Sequence, residues 1–267
     1  MKITTDYHVH TFLCGHATGK PEEYVLQAIK SGLKEIGISD HAPLVSHRDP
    51  TIAMPHSKLP LYHKIIDGLI LKYGRKITIR RGIEADFVEG YEAKTKKVLD
   101  KFSYDFITGS VHFIEDWGFD NPIQRYKWDE VDVNRVYKAY FKLLRRAARS
   151  NMFDIMAHVD LVKKFGDRPT KDMTKEVEKT AEVFKKTGAT IELNTSGLYK
   201  KAREMYPSLG SLKIYCSFGV PMVFGSDSHS PEQVGRGFEE AASLARKAGY
   251  KKYAIFSRRK IIGFNKI

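Results

Sequence analysis

Cysteine and long apolar runs are both scarce in this chain of 267 residues. The two cysteines, Cys14 and Cys216, stand far apart, which excludes the disulfide framework of a small secreted domain. No uninterrupted apolar stretch approaches the roughly 18 residues that a membrane-spanning helix needs. The first apolar run follows Met1 almost directly, without the basic and apolar segments of a secretion signal. We therefore expect a cytoplasmic protein without a membrane partner.

Acidic side chains are also in the minority, with 32 Asp and Glu against 45 Lys and Arg, a formal net charge of +13. A basic surface attracts anionic substrates such as phosphate esters or nucleic acid. The lysines are nevertheless dispersed along helical stretches that interleave acids with bases. This pattern favours solvated outer helices over a nucleic-acid interface.

Short apolar runs rich in β-branched residues alternate with polar helical stretches. A hydrophobic fraction of 42% suffices for a buried core. After a first strand leading into DYHVH, strands are predicted at 34–39, 77–84, 104–110, 153–157, 189–193 and 221–225, and helices at 20–32, 58–73, 91–101, 131–150, 172–187, 208–217 and 231–248. These seven alternations indicate an α/β fold of the TIM-like β/α barrel type, one unit short of the usual eight. We expect a single domain spanning 1–267.

Long irregular segments follow three of the predicted strands, at 43–57, 113–128 and 194–208. Loops after barrel strands are usually site walls or lids. A deep pocket closed by 43–57 and 113–128 would favour a small substrate, whereas an open basic groove would favour nucleic acid.

Metal-binding side chains occur where the predicted strands end. They are His8, His10, His16, His41, Glu84, His112, His158, Asp227 and His229. Because the C-terminal ends of the strands build the site of a β/α barrel, we predict that all nine meet there around metal ions. Each residue alone is better explained as a capping carboxylate or a hydrogen-bonded histidine. The nine together are not, because only three histidines remain and none of them follows a strand.

The spacing within the clusters suggests further roles. His8 and His10 are two residues apart, so both point to one face of a strand, and Asp6 shares their parity. Asp6 can therefore hold an imidazole N–H behind the metal, and Asp40, which also precedes a histidine, resembles it. A buried Glu84 would be costly without a partner, and bridging two cations would remove that cost.

Cys14 lies between two of the candidate histidines. It is either a soft ligand for zinc or a small buried residue beside the site. We favour the second role, because the histidines already supply enough ligands.

The series DYHVH, CGHATG, SDHAP, IEADF, GSVHF, AHVDL and GSDSH resembles the polymerase and histidinol phosphatase (PHP) family of metal-dependent phosphoesterases over the whole chain. CGHATG, DHAPL, GSVHF and ELNTSGLYKKAREMYPS resemble its histidinol-phosphate phosphatase branch. The resemblance implies a distorted (β/α)7 barrel with three divalent metal ions. Imidazole and carboxylate ligands suit Zn, Mn and Fe alike.

The same resemblance implies a ligand set for each ion. The first would be held by His8, His10, Glu84 and Asp227, the second by Glu84, His112 and His158, and the third by His16, His41 and His229. Glu84 would then bridge the first two ions.

The implied activity is hydrolysis of a small phosphate monoester, L-histidinol phosphate, to L-histidinol and phosphate in histidine biosynthesis. A hydroxide held between the ions would attack the phosphorus in line. The expected catalytic residues are Glu84, as the bridge, with Asp227 and His229. The acid for the leaving group is left open between Asp227, His229 and Asp40, all near the third ion. One alternative is a related phosphoesterase acting on nucleotides, nucleic-acid ends or phosphotyrosine. Another is a metal-binding module without turnover, against which the intact ligands argue.

Substrate contacts are expected in the loops after the strands. Arg203 and Lys163 are candidates for gripping phosphate, as is Lys200, although the two lysines could equally lie in bulk water. Asn194 and Ser196 follow a strand end directly and are expected to face the mouth.

Glu192 is a candidate partner for the substrate amine, unless its parity turns it into the barrel wall. Phe12, Phe113 and Trp117 would either wall the imidazole of the substrate or belong to the core.

Overall fold

The computed structural model describes residues 2–47, 49 and 51–267. The strands are β1 Thr5–Val9, β2 Glu35–Ile38, β3 Thr78–Arg81, β4 Glu84–Asp86, β5 Thr108–Ser110, β6 Phe113–Ile114, β7 Trp117–Gly118, β8 Ile155–Met156, β9 Thr190–Asn194, β10 Met222–Gly225, β11 Lys252–Ser257 and β12 Lys260–Lys266. The helices are α1 Pro21–Lys30, α2 Leu59–Tyr73, α3 Glu92–Leu99, α4 Val133–Arg149, α5 Thr174–Thr187, α6 Leu209–Ser217 and α7 Phe238–Ala248.

Parallel strands form a ring in the order β1, β2, β3 continued by β4, β5, β8, β9 and β10. The ring closes between β10 and β1, where the His10 N–H donates to the Ser228 carbonyl at 2.9 Å and the Ser228 N–H to the His8 carbonyl at 3.2 Å. Beside β2, the Glu84 N–H donates to the Asp40 carbonyl at 3.0 Å. The predicted seven-unit barrel is confirmed.

The predicted strand 77–84 is interrupted between β3 and β4. The ring of Phe106 fills the barrel interior at this level, and a β-carbon on Gly82 would lie 2.3 Å from its Cζ atom. A β-carbon on Gly37 of β2 would lie 2.6 Å from the same atom. Two strands therefore need glycine where they pass Phe106, and this crowding accompanies the break.

The terminal hairpin β11–β12 closes the end of the barrel at which the strands begin. Phe256 and Ala254 pack against Tyr7, Phe106 and Ile155 from inside the ring, and the Phe256 N–H donates to the Tyr7 hydroxyl at 3.0 Å. No strand was predicted from the sequence after the helix at 231–248. The turn of the hairpin is made by two arginines with φ of 50° and 62°, so the glycine or asparagine that usually marks such a turn is missing.

Two further segments differ from their predictions. The stretch 113–128, predicted to be irregular, contains the short hairpin β6–β7 and a 3-10 helix at Pro122–Glu130. The helix predicted at 231–248 begins only at Phe238, because Gly235 and Gly237 adopt left-handed φ angles of 70° and 77°.

Of the long loops, 113–128 contacts 43–57 through the rings of Phe113 and His47, whose centres lie 5.3 Å apart. Residues 48 and 50 of the second loop lie outside the described residues. Within the described ranges, no helix is both long and apolar enough to cross a membrane.

Candidate metal centre

The nine predicted ligands lie together where the ring strands end. Alternation along β1 turns His8 and His10 inward, and both are fully buried. Glu84 begins β4 and is buried beside them. The loops after β1, β2, β5, β8 and β10 carry the other six: His16, His41, His112, His158, Asp227 and His229.

Glu84 lies at the centre of the cluster. Its Oε2 atom is 3.1 Å from Nδ1 of His41, 3.2 Å from Nε2 of His8 and 3.6 Å from Nε2 of His10. Its Oε1 atom is 3.1 Å from Nε2 of His158. The two carboxylate oxygens therefore face two different groups of imidazoles, as a bridging ligand must.

Asp227 joins the first of these groups. Its Oδ1 atom is 3.2 Å from Nε2 of His10, 3.7 Å from Nε2 of His8 and 3.6 Å from Nδ1 of His229. The left-handed backbone of Asp227, with φ of 54°, turns the carboxylate into the site. Beyond it, Nε2 of His229 lies 2.9 Å from Nε2 of His16.

His112 stands at the edge of the second group. Its Nε2 atom is 4.0 Å from Oε1 of Glu84. Its ring centre is 5.1 Å from that of His158 and 5.6 Å from that of His41. Small shifts of the ring would bring it into a common coordination shell.

The cluster has the properties of a metal site. Buried atoms without a hydrogen-bond partner among the described residues include Nε2 of His8, both ring nitrogens of His10 and Oε2 of Glu84. Unpaired buried atoms are costly, and bound cations would remove that cost. Ligands about 2.0 to 2.2 Å from one ion lie roughly 3 to 3.5 Å from each other. Separations around Glu84 and Asp227 run from 3.1 to 3.7 Å, so the shorter ones match this spacing and the longer ones lie just above it.

Charge within the cluster favours bound cations. Burial opposes ionisation of Glu84, but the imidazoles of His41 and His8 outweigh it and hold the pKa of Glu84 well below its usual range. Burial also opposes ionisation of Asp227, and His8 and His10 likewise hold its pKa low. Both carboxylates therefore stay anionic and compete for positive charge.

Other carboxylates hold the ring nitrogens that face away from the centre. Glu192 Oε1 is 2.6 Å from Nδ1 of His8, and Asp86 Oδ1 is 2.7 Å from Nδ1 of His112. Asp86 was not among the residues predicted from the sequence. Its position two residues after Glu84 was the available signal, since it places both side chains on one face of β4.

The role predicted for Asp6 is wrong. Its carboxylate accepts the N–H groups of Ser226 at 3.0 Å and Gly235 at 2.9 Å, and contacts no imidazole in the described chain. Burial raises the pKa of Asp6 to about 6, against the hydrogen bonds from Ser226. Asp6 thus anchors the loop that carries Asp227. Asp40 accepts the His41 N–H, and its carboxylate lies 3.4 Å from Nδ1 of His10, the residue that follows β1.

Cys14 is fully buried, and its thiol donates to the Thr11 carbonyl at 3.1 Å. Its sulfur also lies within 4.8 Å of ligand atoms of His16 and His229. The hydrogen bond favours the role of a buried residue beside the site.

Comparison with known proteins assigns this constellation to a family. The PHP domain profile matches residues 6–196, and the PHP-associated profile matches residues 211–245. The chain belongs to the PHP family. The first profile includes seven of the nine clustered residues, and the other two, Asp227 and His229, fall within the second.

Curated PHP relatives span nearly the whole chain. A Deinococcus radiodurans protein named "Probable histidinol-phosphatase" is 37% identical over 244 residues, which cover 91% of this chain and 93% of the relative. The histidinol-phosphatase of Bacillus subtilis is 28% identical over 261 residues, covering 88% of this chain and 96% of the relative.

Solved structures show the same fold. A Listeria monocytogenes protein, described as a candidate histidinol phosphatase, superposes with a TM-score of 0.81 at 28% identity, covering 88% of this chain and 99% of the other. Histidinol phosphate phosphatase of Lactococcus lactis, solved with zinc, L-histidinol and phosphate, superposes with a TM-score of 0.85 at 21% identity. The superposition covers 97% of this chain and 99% of the other.

Two of the predicted substrate contacts of this PHP site also touch a candidate ligand. The Asn194 amide nitrogen lies 3.3 Å and the Ser196 hydroxyl 3.1 Å from Oδ2 of Asp227. Both side chains are buried. Their contacts favour holding Asp227 in place over reaching a substrate.

Lys163 is occupied by protein partners. Its ammonium, 1% exposed, donates to Asp160 at 2.8 Å, Glu204 at 2.9 Å and the Met205 carbonyl at 2.7 Å. These three acceptors use its three N–H groups, so none is left for phosphate. The spacing of Lys163 three residues after Asp160 was the signal for this ion pair.

The remaining predicted contacts lie on segments that follow β1, β5 and β9. Arg203 is exposed in the loop after β9, with a left-handed φ of 49°. Partial desolvation lowers the pKa of Lys200, and the nearby Asp227 carboxylate acts against that shift. Phe12 is largely exposed, whereas Phe113 and Trp117 are partly buried in the β6–β7 hairpin.

Proposed function

We propose that this chain is a histidinol-phosphatase that hydrolyses L-histidinol phosphate with the help of three divalent transition-metal ions. The observation that carries the proposal is the meeting of nine metal-binding side chains around Glu84 at one end of a PHP barrel. The relative with 37% identity over nearly the full length supports the substrate. The L-histidinol and phosphate in the Lactococcus lactis structure support the same substrate class.

The proposed ligand sets follow the two sides of Glu84. Oε2 with His8, His10 and Asp227 would hold the first ion, and Oε1 with His158 and His112 the second. His16, His41 and His229 would hold the third. Their facing nitrogens, 2.9 Å apart between His16 and His229, support a shared cation there. His41 also lies near Glu84, so it stands between two of the groups.

When bound, such ions supply a hydroxide nucleophile near neutral pH and disperse charge on the phosphate oxygens. The contribution of the chain is to fix and balance the charges. Glu84 and Asp227 remain anionic, and burial together with His10 holds the pKa of His229 well below its ordinary value. Asp227 and His229 are both placed in these ligand sets, so we assign neither as the acid for the leaving group.

We assign phosphate recognition to two cations of the loop after β9, Arg203 and Lys200. Arg203 is exposed, and its guanidinium can bind two phosphate oxygens at once. Lys200 lies within electrostatic reach of Asp227 and therefore of the ions. Lys163 is not included, because its donors are used within the protein.

Substrate profiling tests the proposal directly. The protein, loaded in turn with Zn, Mn or Fe, is assayed for phosphate release from histidinol phosphate, aryl phosphates and single-stranded DNA ends. We expect more than one metal ion per chain by elemental analysis, and a clear preference for histidinol phosphate, because a site built on hydrogen bonds rejects analogues that leave them unpaired. Faster cleavage of DNA ends would overturn the substrate, and one ion or fewer per chain would overturn the trinuclear site.

A further inference from the structure

Glu192 connects parts of the site that are far apart in sequence. It lies on β9, is 2% exposed, and both of its oxygens are engaged. Oε1 meets Nδ1 of His8 at 2.6 Å. Oε2 accepts the His158 N–H at 3.0 Å and the Asn194 amide at 3.1 Å. Asn194 in turn reaches Asp227 at 3.3 Å.

The neighbouring strand is shaped to admit this carboxylate. A β-carbon on Gly225 of β10 would lie 1.8 Å from Oε1 of Glu192 and 2.7 Å from the β-carbon of His8. Any larger residue at Gly225 would displace the Glu192 carboxylate from His8. The approach of strand, carboxylate and imidazole therefore depends on glycine at this point.

Glu192 has no lysine or arginine partner among the described residues, unlike Glu35. In the described parts of the chain, its only ion-pair partner is His8, and its other donors are a backbone N–H and an amide. A buried anion without a full positive charge nearby is costly. A metal ion on Nε2 of His8 would supply that charge through the imidazole, as in carboxylate–histidine–metal triads.

We propose that Glu192 is a positioning residue that couples the two metal subsites on either side of Glu84. It fixes the tautomer of His8 so that Nε2 faces the first ion. Through the same carboxylate it holds the backbone of His158, whose φ is a strained 28°, beside the second ion. This inference rests on the proposed function only in requiring bound metal, and it replaces the predicted contact of Glu192 with the substrate amine.

Glu192→Gln tests the coupling with little change in shape. The amide has one accepting oxygen, whereas both oxygens of Glu192 accept hydrogen bonds. In either orientation of the amide, its NH2 group faces another donor, at His8 or at His158 and Asn194. We expect affinity for Zn or Mn, measured by competition with a chromophoric chelator, to fall roughly 10- to 100-fold. The affinity should fall for more than one metal ion per chain.

Glu35→Gln is the matched control. Glu35 is also a buried strand glutamate, but it lies at the other end of the barrel, where Arg80 and Tyr7 contact it. This variant should keep wild-type metal affinity. Affinity of Glu192→Gln within twofold of wild type, or an equal loss in both variants, would overturn the proposal.

A measurement on the unaltered protein covers the case in which Glu192→Gln does not fold. In the zinc-loaded protein, nitrogen-15 correlation spectra report which ring nitrogen of each histidine carries a proton. We expect His8 to carry its proton on Nδ1, strongly hydrogen bonded, with the metal on Nε2. A proton on Nε2 of His8 would refute the role of Glu192. Because both measurements need no substrate, they stand or fall separately from histidinol phosphate hydrolysis.

Discussion

The two ends of the barrel bury the same kinds of side chain but balance their charges differently. At the end closed by the β11–β12 hairpin, Glu35 accepts hydrogen bonds from Arg80 at 3.0 Å and from Tyr7. At the open end, Glu84 and Asp227 face imidazoles whose nitrogens are partly unpaired among the described residues.

This difference separates structural carboxylates from functional ones. A carboxylate that meets an arginine is neutralised within the fold and needs nothing further. Carboxylates that converge on imidazoles leave negative charge in a buried site when those imidazoles are neutral, as metal ligands must be, and bound cations would balance that charge. Burial alone does not distinguish the ends, since Glu35 and Glu84 are both buried. The type of partner does.

The largest expected effect comes from exchanging the same residue type at both ends. Glu84→Gln should lower kcat/KM at least about a hundredfold, because a neutral amide bridges two cations poorly. Metal content, measured by elemental analysis, should fall with it. Glu35→Gln should lower thermal stability instead, with metal content unchanged. Near wild-type turnover of Glu84→Gln would remove Glu84 from the bridging position and with it the contrast between the ends.

A smaller effect is expected from the loop after β9. Arg203→Ala should lower kcat/KM if the guanidinium binds the transferring phosphoryl group. The loss should correspond to about 2 to 4 kcal/mol of transition-state stabilisation. Metal content should not change. Arg75→Ala removes an exposed arginine near the closed end and should leave the kinetics unaltered. If the two variants had equal kinetics, Arg203 would not contact the substrate.

The smallest effect concerns a buried histidine away from both ends. Burial, assisted by Arg81, lowers the pKa of His63 from 6.5 to about 4. By contrast, Asp86 and Asp120 overcome the burial of His112 and raise its pKa to about 10. Because the pKa of His63 is lower in the folded than in the unfolded chain, the fold loses stability as the pH falls from about 6.5 towards about 4. Above about pH 6.5 the histidine is neutral in both states and this loss is absent.

His63→Phe should remove that dependence while keeping the stack on Phe102, whose ring centre lies 3.9 Å away. Between pH 7 and 5, the free energy of unfolding of the wild type should fall by about 2 kcal/mol more than that of the variant. Urea denaturation of the metal-free protein at the two pH values measures the difference. Parallel losses would mean that His63 is not held neutral.

Much of the fold was accessible from the sequence because it depends on local pattern. The alternation of apolar runs with helical stretches predicted the barrel, which the structure confirms. The ends of short strands were less predictable: 104–110 was expected as one strand, and only Thr108–Ser110 pairs as β5. The hairpin β11–β12 was missed because its turn consists of Arg258 and Arg259, residues that do not mark a turn.

The sequence by itself determined which residues the site can draw on, since strand periodicity and strand ends placed the nine side chains at one end of the barrel. Tertiary structure alone decided which carboxylate serves which histidine. Glu192 meets His8 across 184 residues, and Asp6 meets Ser226 across 220. Such pairings depend on how the strands are ordered and staggered around the ring, which local pattern does not encode. For the same reason Lys163, a plausible phosphate ligand in the sequence, is bound within the fold.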